Sequence, residues 1–389
     1  MKIKNASVFC VEQGFVEKDV YMENGQFTDG ARYGGAHADR DGEQIIDAGG
    51  LYLIPGLVDI HFHGCAGADF SDGTPEALRT ISACQLANGV TSICPATMTF
   101  PGETLETICE NAFEYLSESE GLPARAALRG IHLEGPFIAA EKQGAQNPQY
   151  IQAADSALYR RLQKAAHGLI RLVTLAPEIS GAEAFIRELH GEVHLSIGHT
   201  VCDYACAKRA FESGADHVTH LFNAMKGFGH RAPGVLAAAF DAKHVMPELI
   251  CDGVHVDAAA VRVAFQIFGG ERMILVSDSM RAAGMADGDY MLGGQQVHVE
   301  GKLATLADGT IAGAVTNLMD CLRTAVAFGI PLETAVRCAS YNPARAIGAD
   351  SVCGSIDVGK DADCVLLSKE GLEIRKVFRK GVCVQNGGK

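Results

Sequence analysis

Positive charge is what this chain lacks first. It has 33 Lys and Arg against 47 Asp and Glu, a formal net charge of −14. That deficit argues against nonspecific binding to nucleic acid or to acidic membrane surfaces, although a locally basic pocket can still take an anionic small molecule. Long apolar runs are also missing. No stretch reaches the length of a membrane span. The N-terminus, MKIKNASVFCVEQG, lacks the apolar segment of a signal peptide. The 13 cysteines, scattered from Cys10 to Cys383, form no Cys-x-x-Cys pair. Cys202 and Cys206 lie near His199, but their spacing also fits one face of a helix. The odd, dispersed set reads as free, mostly buried thiols in a reducing cytoplasm. No Gly-x-Gly-x-x-Gly follows an early strand, so a dinucleotide-binding open sheet has little support.

What is present is ordinary globular composition, 48% hydrophobic and 21% charged. A chain of 389 residues accommodates one barrel-sized domain and a smaller one. Short β-like pieces at 7–11, 15–22 and 43–46 are separated by Gly- and Asp-rich turns, with a polar loop at 30–42. The far end is similar: 354–367 reads as a turn and an apolar strand, and 377–384 as a hairpin turning at Lys380-Gly381. These β-rich ends predict a small discontinuous β-sandwich domain, residues 1–54 with 350–389.

The middle, 55–349, alternates strand and helix patterns. Strands are expected at 53–60, 90–95, 128–133, 170–175, 192–197, 217–221, 248–252 and 273–277. Val261, Ala264, Phe265 and Phe268 form a helical stripe, and Tyr204, Ala207 and Phe211 a shorter one. Such alternation implies a parallel sheet, and eight units imply an α/β fold of the (β/α)8, TIM-like barrel type, with its site where the strands end. The Gly-rich stretch 281–313 interrupts the pattern; a hairpin within 290–299 would hang over the barrel mouth.

Ligand-type residues gather at the expected strand ends. LIPGLVDIHFHG at 53–64 places His61 and His63 on one side of a strand and Phe62 on the other. Later strands end at Glu134, His199, His220 and Asp278. Any one of these has an ordinary explanation, such as an N-cap for Asp278. Their joint occurrence predicts a divalent-metal site. His132 and His217 are expected to support it; His194 is expected to be structural. His37, His167, His190, His244 and His298 read as solvated or capping.

The first-strand stretch and the segment Gly354-x-Ile356-x-x-Gly359-Lys360-x-Ala362-Asp363-x-Val365 resemble the amidohydrolase superfamily. HLEGPF (132–137), SIGHT (196–200), THLFNAM (219–225), CDGVHVD (251–257) and VSDSM (276–280) resemble its N-acetylglucosamine-6-phosphate deacetylase family over nearly the whole chain. The resemblance implies a cytoplasmic, homodimeric, metal-dependent hydrolase acting on a sugar phosphate in amino-sugar metabolism. Glu134, His199 and His220 would hold one divalent ion, with His61 and His63 adding a second or completing the first. Zinc is the first expectation, with iron, cobalt or manganese as alternatives. Asp278 would shuttle the proton. Asn223 and Ala224 would contact the sugar, Arg231 and His255 the phosphate, and Ala145 with Ile311, Ala312 and Gly313 would line the pocket. Gln146 would also bind the substrate, at the position where some family members carry a His that polarises the acetyl carbonyl; Gln donates hydrogen bonds but cannot become a cation. An N-acetylgalactosamine-6-phosphate deacetylase, or another cyclic amidohydrolase, is the alternative reading. A non-catalytic scaffold conflicts with the full set of ligand residues.

Overall fold

The computed structural model describes residues 1–30, 44–119 and 122–386. Apart from residue 30, the polar loop expected at 30–42 lies outside these, as does His37. Among the described residues, parallel strands run in chain order as β1 (Leu57–Asp59), β2 (Val90–Ile93), β3 (Ile131–Glu134), β4 (Ile170–Leu175), β5 (His194–Ile197), β6 (His217–Val218), β7 (Met246–Ile250) and β8 (Ile274–Val276), and a short strand before β3, Ala127–Leu128, also pairs parallel with β2. Strands β3 to β8 form one six-stranded sheet, and β1 and β2 belong to another, joined to β3 by a bridge between Ala96 and His132. From β8 the chain reaches back to β1: Asp278 N donates to His61 O at 2.9 Å, and Ser277 Oγ to Asp59 Oδ2 at 2.5 Å.

At least one helix separates each strand from the next, and helices also follow β8. Their apolar stripes face inward. In Ala258–Phe268, Val261, Ala264, Phe265 and Phe268 are all buried, and the Asp257 carboxylate caps the first turn by accepting from Ala259 N at 2.7 Å. In Tyr204–Glu212 the buried face is Ala207, Ala210 and Phe211. No described helix is long and apolar enough to cross a membrane. Most cysteines are buried.

The two chain ends meet in one eight-stranded sheet. Its path runs from Val382–Asn386 through Ile374–Arg379, Cys364–Ser368, Leu51–Pro55, Lys2–Cys10 and Gly14–Glu23 to Gln26–Thr28, and the eighth strand, Ile45–Asp47, pairs with Lys2–Cys10 off that path. Alternation along its strands gives it two apolar faces. Leu53, Cys364, Leu366 and Phe378 fill a local core, whereas Ile54, Val365, Leu367 and Val377 belong to the main core of the parallel strands and helices.

The single strand expected at 53–60 is in fact two, Leu51–Pro55 in the terminal sheet and β1. Pro55 has no N–H for a ladder. At Gly56 the chain passes so close to Thr91 that a Cβ would lie 2.1 Å from its Oγ1. The hairpin expected within 290–299 is present and gains a third strand, Leu303–Thr305. It has a small core of its own, including Leu292, Val297, Val299 and Ala304.

Phe62 points away from its neighbouring histidines into the main core and is fully buried. Phe62→Ala should therefore cost about 3–5 kcal/mol of stability, read as a lowered denaturant midpoint. A loss below about 1 kcal/mol would mean that this core collapses around the cavity.

Candidate metal and catalytic site

The ends of the parallel strands deliver the predicted residues to one buried point. Glu134 closes β3; His199 and His220 stand two residues past β5 and β6, as Asp278 does past β8. All are buried, as are His61 and His63. Glu134 Oε1 lies 3.2 Å from His61 Nε2, 3.1 Å from His199 Nε2 and 3.2 Å from His220 Nε2. Its Oε2 lies 3.3 Å from His63 Nε2. Asp278 Oδ1 is 3.4 Å from His63 Nε2 and 3.8 Å from His61 Nε2. No helix begins at Asp278: the next described one is Leu318–Ala327, so its carboxylate is not an N-cap.

The backbone is strained where it turns these groups inward. His199, His220 and Asp278 have φ of 47°, 28° and 48°, and Phe222 and Ala224 have 79° and 49°. Non-glycine residues in this region each cost about 1–3 kcal/mol, and their clustering marks functional sites.

The outer ring nitrogens decide what the inner ones can do. His61 Nδ1 is 2.7 Å from Glu248 Oε2, His63 Nδ1 3.2 Å from Ala96 O, and His199 Nδ1 2.8 Å from Lys142 O. These partners only accept, so each Nδ1 carries the hydrogen and, in the neutral ring, Nε2 offers a lone pair to the centre. Two inner nitrogens, His199 Nε2 and His220 Nε2, are 3.1 Å apart. His61 Nε2 is buried and makes no hydrogen bond. Converging lone pairs beside carboxylates repel unless a cation or a proton lies among them. The donor set fits a divalent ion, with Glu134, His199 and His220 forming one ligand group and His61, His63 and Glu134 an overlapping one.

Protonation supplies the other cation. Burial disfavours charge on His63, but hydrogen bonds to Asp278 and Glu134 hold its pKa up at about 10. His61 is raised as well: burial opposes it, and the charges of Glu248 and Glu134 outweigh burial. Burial would lift the Asp278 carboxyl, yet the His63 hydrogen bond and the nearby imidazolium charges keep it below the usual carboxylate range.

Glu248 was not among the residues singled out in the sequence. It is fully buried on β7. Besides holding His61, it accepts from His217 Nε2 at 3.1 Å and from His220 N at 3.1 Å. Its one signal is a charged residue inside the apolar run ELIC. His217 thus supports the site through Glu248. His132 packs against the His61 ring and bonds Thr174 Oγ1 at 2.7 Å. His194 pairs with Asp216 at 2.6 Å, away from the cluster.

A cavity of about 580 Å³ opens on the cluster. His63, Glu134, His199, His220 and Asp278 form its floor; Ala145, Gln146, Asn223, Ala224, His255, Ile311 and Gly313 stand on its walls. Ala312 is fully buried between its lining neighbours. A Cβ on Gly313 would lie 3.2 Å from Asp278 O, a tight contact, and its φ of 67° favours glycine. Gln295 Nε2, on the three-stranded insertion, donates to Ala145 O at 2.6 Å. His255 Nδ1 bonds Asp252 Oδ2 at 2.7 Å. Arg231 is not part of the lining: it is exposed, in the segment 226–233 beside the equally exposed Phe228.

A buried carboxylate and imidazoles at the ends of parallel strands, with a second carboxylate beside them, define a metal-dependent hydrolase. The amidohydrolase family model matches residues 52–384, and the chain belongs to that family. It is 40% identical over 332 residues to the N-acetylglucosamine-6-phosphate deacetylase of Bacillus subtilis (strain 168), covering 85% of this chain and 84% of the relative. It is 34% identical over 331 residues to the N-acetylgalactosamine-6-phosphate deacetylase of Escherichia coli O157:H7, covering 85% and 86%. Among solved structures, it is similar to a point mutant of the N-acetyl-D-glucosamine-6-phosphate deacetylase from Mycobacterium smegmatis, in complex with N-acetyl-D-glucosamine-6-phosphate. The TM-score is 0.90 and the identity 33%, over 99% of both chains.

A divalent ion must displace protons from this cluster. With His63 raised to about 10, the metal-free protein carries those protons through the neutral range, so the apparent metal affinity should rise with pH until His63 has titrated. Calorimetry in two buffers of different ionisation enthalpy should register proton release on metal addition. Uptake with no buffer dependence would contradict this protonation state.

Proposed function

We propose that the protein hydrolyses the acetamide of N-acetyl-D-glucosamine 6-phosphate to D-glucosamine 6-phosphate and acetate, in amino-sugar catabolism and recycling. The observation that carries the proposal is the convergence of four imidazoles, Glu134 and Asp278 at one buried point, all but His61 lining the floor of one cavity. The named relatives supply the substrate class.

In this reading Glu134, His199 and His220 hold a divalent ion, and His61 and His63 hold a second or complete the first. Zinc suits these nitrogen and oxygen ligands, as do iron, cobalt and manganese. Such an ion, when bound, supplies Lewis acidity that weakens an acyl carbonyl and lowers the pKa of a water towards about 7. Asp278, kept ionised, takes a proton from the attacking water and returns it to the departing nitrogen. The carbon–nitrogen bond breaks as the carbon–oxygen bond forms, so acetate and the amine leave with water's atoms divided between them. Asn223, Ala224, Ala145 and the backbone of Ile311, Ala312 and Gly313 line the sugar. His255, with Nδ1 committed to Asp252, offers Nε2 to the phosphate.

Arg231 is the second phosphate group in this reading. Its exposure beside Phe228 favours a homodimer in which the segment 226–233 completes a neighbour's cavity. We also infer a closed (β/α)8 barrel over 55–349 and a small β-sandwich domain from 1–54 with 350–389. The β8-to-β1 hydrogen bonds and the separate core of the terminal sheet support these. The buried cysteines suit a reducing cytoplasm.

Acetate release from the two epimeric sugar phosphates tests the proposal, with faster turnover expected on the gluco epimer. Faster turnover on the galacto epimer would favour the Escherichia coli type of activity. No release from either by metal-loaded protein would overturn the reading. In the same assay, Arg231→Ala should sharply lower kcat/KM for the phosphorylated substrate and barely change the slow reaction on N-acetylglucosamine, because only the phosphate uses the guanidinium fork. Equal losses on both would assign Arg231 a shaping role instead.

Asp278→Asn preserves shape and removes the base. Its kcat should fall by about 10²–10⁴-fold while metal content and KM change little. Near-normal turnover in the folded, metal-loaded variant would remove Asp278 from the mechanism.

A further inference from the structure

We infer that Gln146 is a positioning residue for Glu134, setting metal affinity by fixing that carboxylate, and does not contact the acyl group. The inference rests on the proposed role of Glu134 as a metal ligand.

Gln146 is 2% exposed, and both ends of its amide are engaged. Oε1 accepts from Thr99 N at 2.7 Å, and Nε2 donates to Glu134 Oε2 at 2.7 Å. A backbone N–H only donates, so the oxygen end must face Thr99, and this assigns the amide orientation. The NH₂ group therefore faces the carboxylate. The carboxylate torsion of Glu is soft, with a broad, two-fold profile. Holding Oε2 fixes it, leaving Oε1 towards His61, His199 and His220.

The attachments of Gln146 point to the same role. Its segment, 142–146, also supplies the Lys142 carbonyl that fixes His199 Nδ1. Its other partner, Thr99, lies three residues beyond Ala96, whose carbonyl fixes His63 Nδ1. One side chain thus ties the loop after β3 to the loop after β2, and each loop sets the tautomer of one histidine. A substrate carbonyl could claim Nε2 only by displacing Glu134.

Gln146→Met keeps the length and removes both bonds. Gln146→Glu keeps an acceptor for Thr99 but turns an oxygen towards Glu134. Zinc affinity, measured by competition with a chromophoric chelator, should weaken by about 10- to 100-fold in both variants, the range for a lost outer partner of a metal ligand. At saturating zinc, kcat should largely recover, which a misfolded site would not allow. Unchanged zinc affinity in either variant overturns the inference. With kcat collapsed, it would assign Gln146 to the acyl group; in Gln146→Glu alone, it would leave only the anchor to Thr99. Should the Met variant fail to fold, the Glu variant decides alone. The zinc titration needs no sugar substrate, so it is independent of whether the deacetylase reading holds.

Discussion

A buried carboxylate that must be satisfied organises this protein. Glu134 is 1% exposed, and an isolated ionised carboxylate in such a place costs many kcal/mol. Burial alone would raise its pKa, yet the imidazoles around it, His61 foremost, hold it well below the usual range. The fold is arranged to bring them there. Four nitrogens approach one carboxylate within 3.1–3.3 Å. They come from the turns after β1, β5 and β6, which neither one strand nor one helix could supply. Parallel strands place their C-terminal ends at a common mouth, so chain segments distant in sequence meet there. The positive φ values at His199, His220 and Asp278 record the local cost of turning those side chains inward. Packed strands and helices below carry that cost.

The inner residues of the cluster were legible in sequence because they stand in motifs with a directional meaning. His61 and His63 flank a residue that must face the other way, and the structure puts Phe62 in the core and both rings on Glu134. Helical stripes such as Val261, Ala264, Phe265 and Phe268 were legible for the same reason: period alone names the buried face. The groups behind them in the cluster were not. Glu248 lies 187 residues from His61, and nothing local distinguishes it from a strand residue that happens to be charged. The Gln146 contacts join turns after two different strands, which no window of sequence contains. The division of 53–60 into two strands was written in Pro55-Gly56, but its necessity came from Thr91, across the sheet contact with β2.

The terminal sheet shows how little sequence distance matters once strands pair. Leu51–Pro55 sits between Lys2–Cys10 and Cys364–Ser368, so the strand that leads into β1 is clamped by both ends of the chain. The Gly-Lys-x-Ala-Asp segment has a physical task there. Asp363 accepts from Arg379 Nη1 at 3.0 Å and from Lys380 N at 2.8 Å, while its backbone oxygen accepts from Gly56 N at 2.9 Å. One residue thus fixes the C-terminal hairpin and the point where the chain enters β1. Since His61 stands two residues after β1, the alignment of the cavity floor depends on a sheet that contributes no side chain to it.

The two ends of the cavity are built to different standards. Its floor is buried, and Glu134, His61, His63 and His199 each have a partner behind them; the Nδ1 of His220 makes no hydrogen bond, and its backbone N–H is instead held by Glu248. Its outer wall is thinner. The cations lining it away from the floor are Lys142 and His255, and the acidic Glu141 and Asp308 share that wall. Field strength falls with exposure, so a dianion at the rim gains little from two such groups set against two carboxylates. On the proposed reaction, the chemistry is therefore complete within one chain, whereas recognition of the phosphate requires a further cation. Arg231, exposed and with no hydrogen bond or ion pair to another described residue, is a side chain of the right chemistry in the wrong place for its own cavity. A symmetric partner is the simplest way to bring such a residue to the other copy's rim.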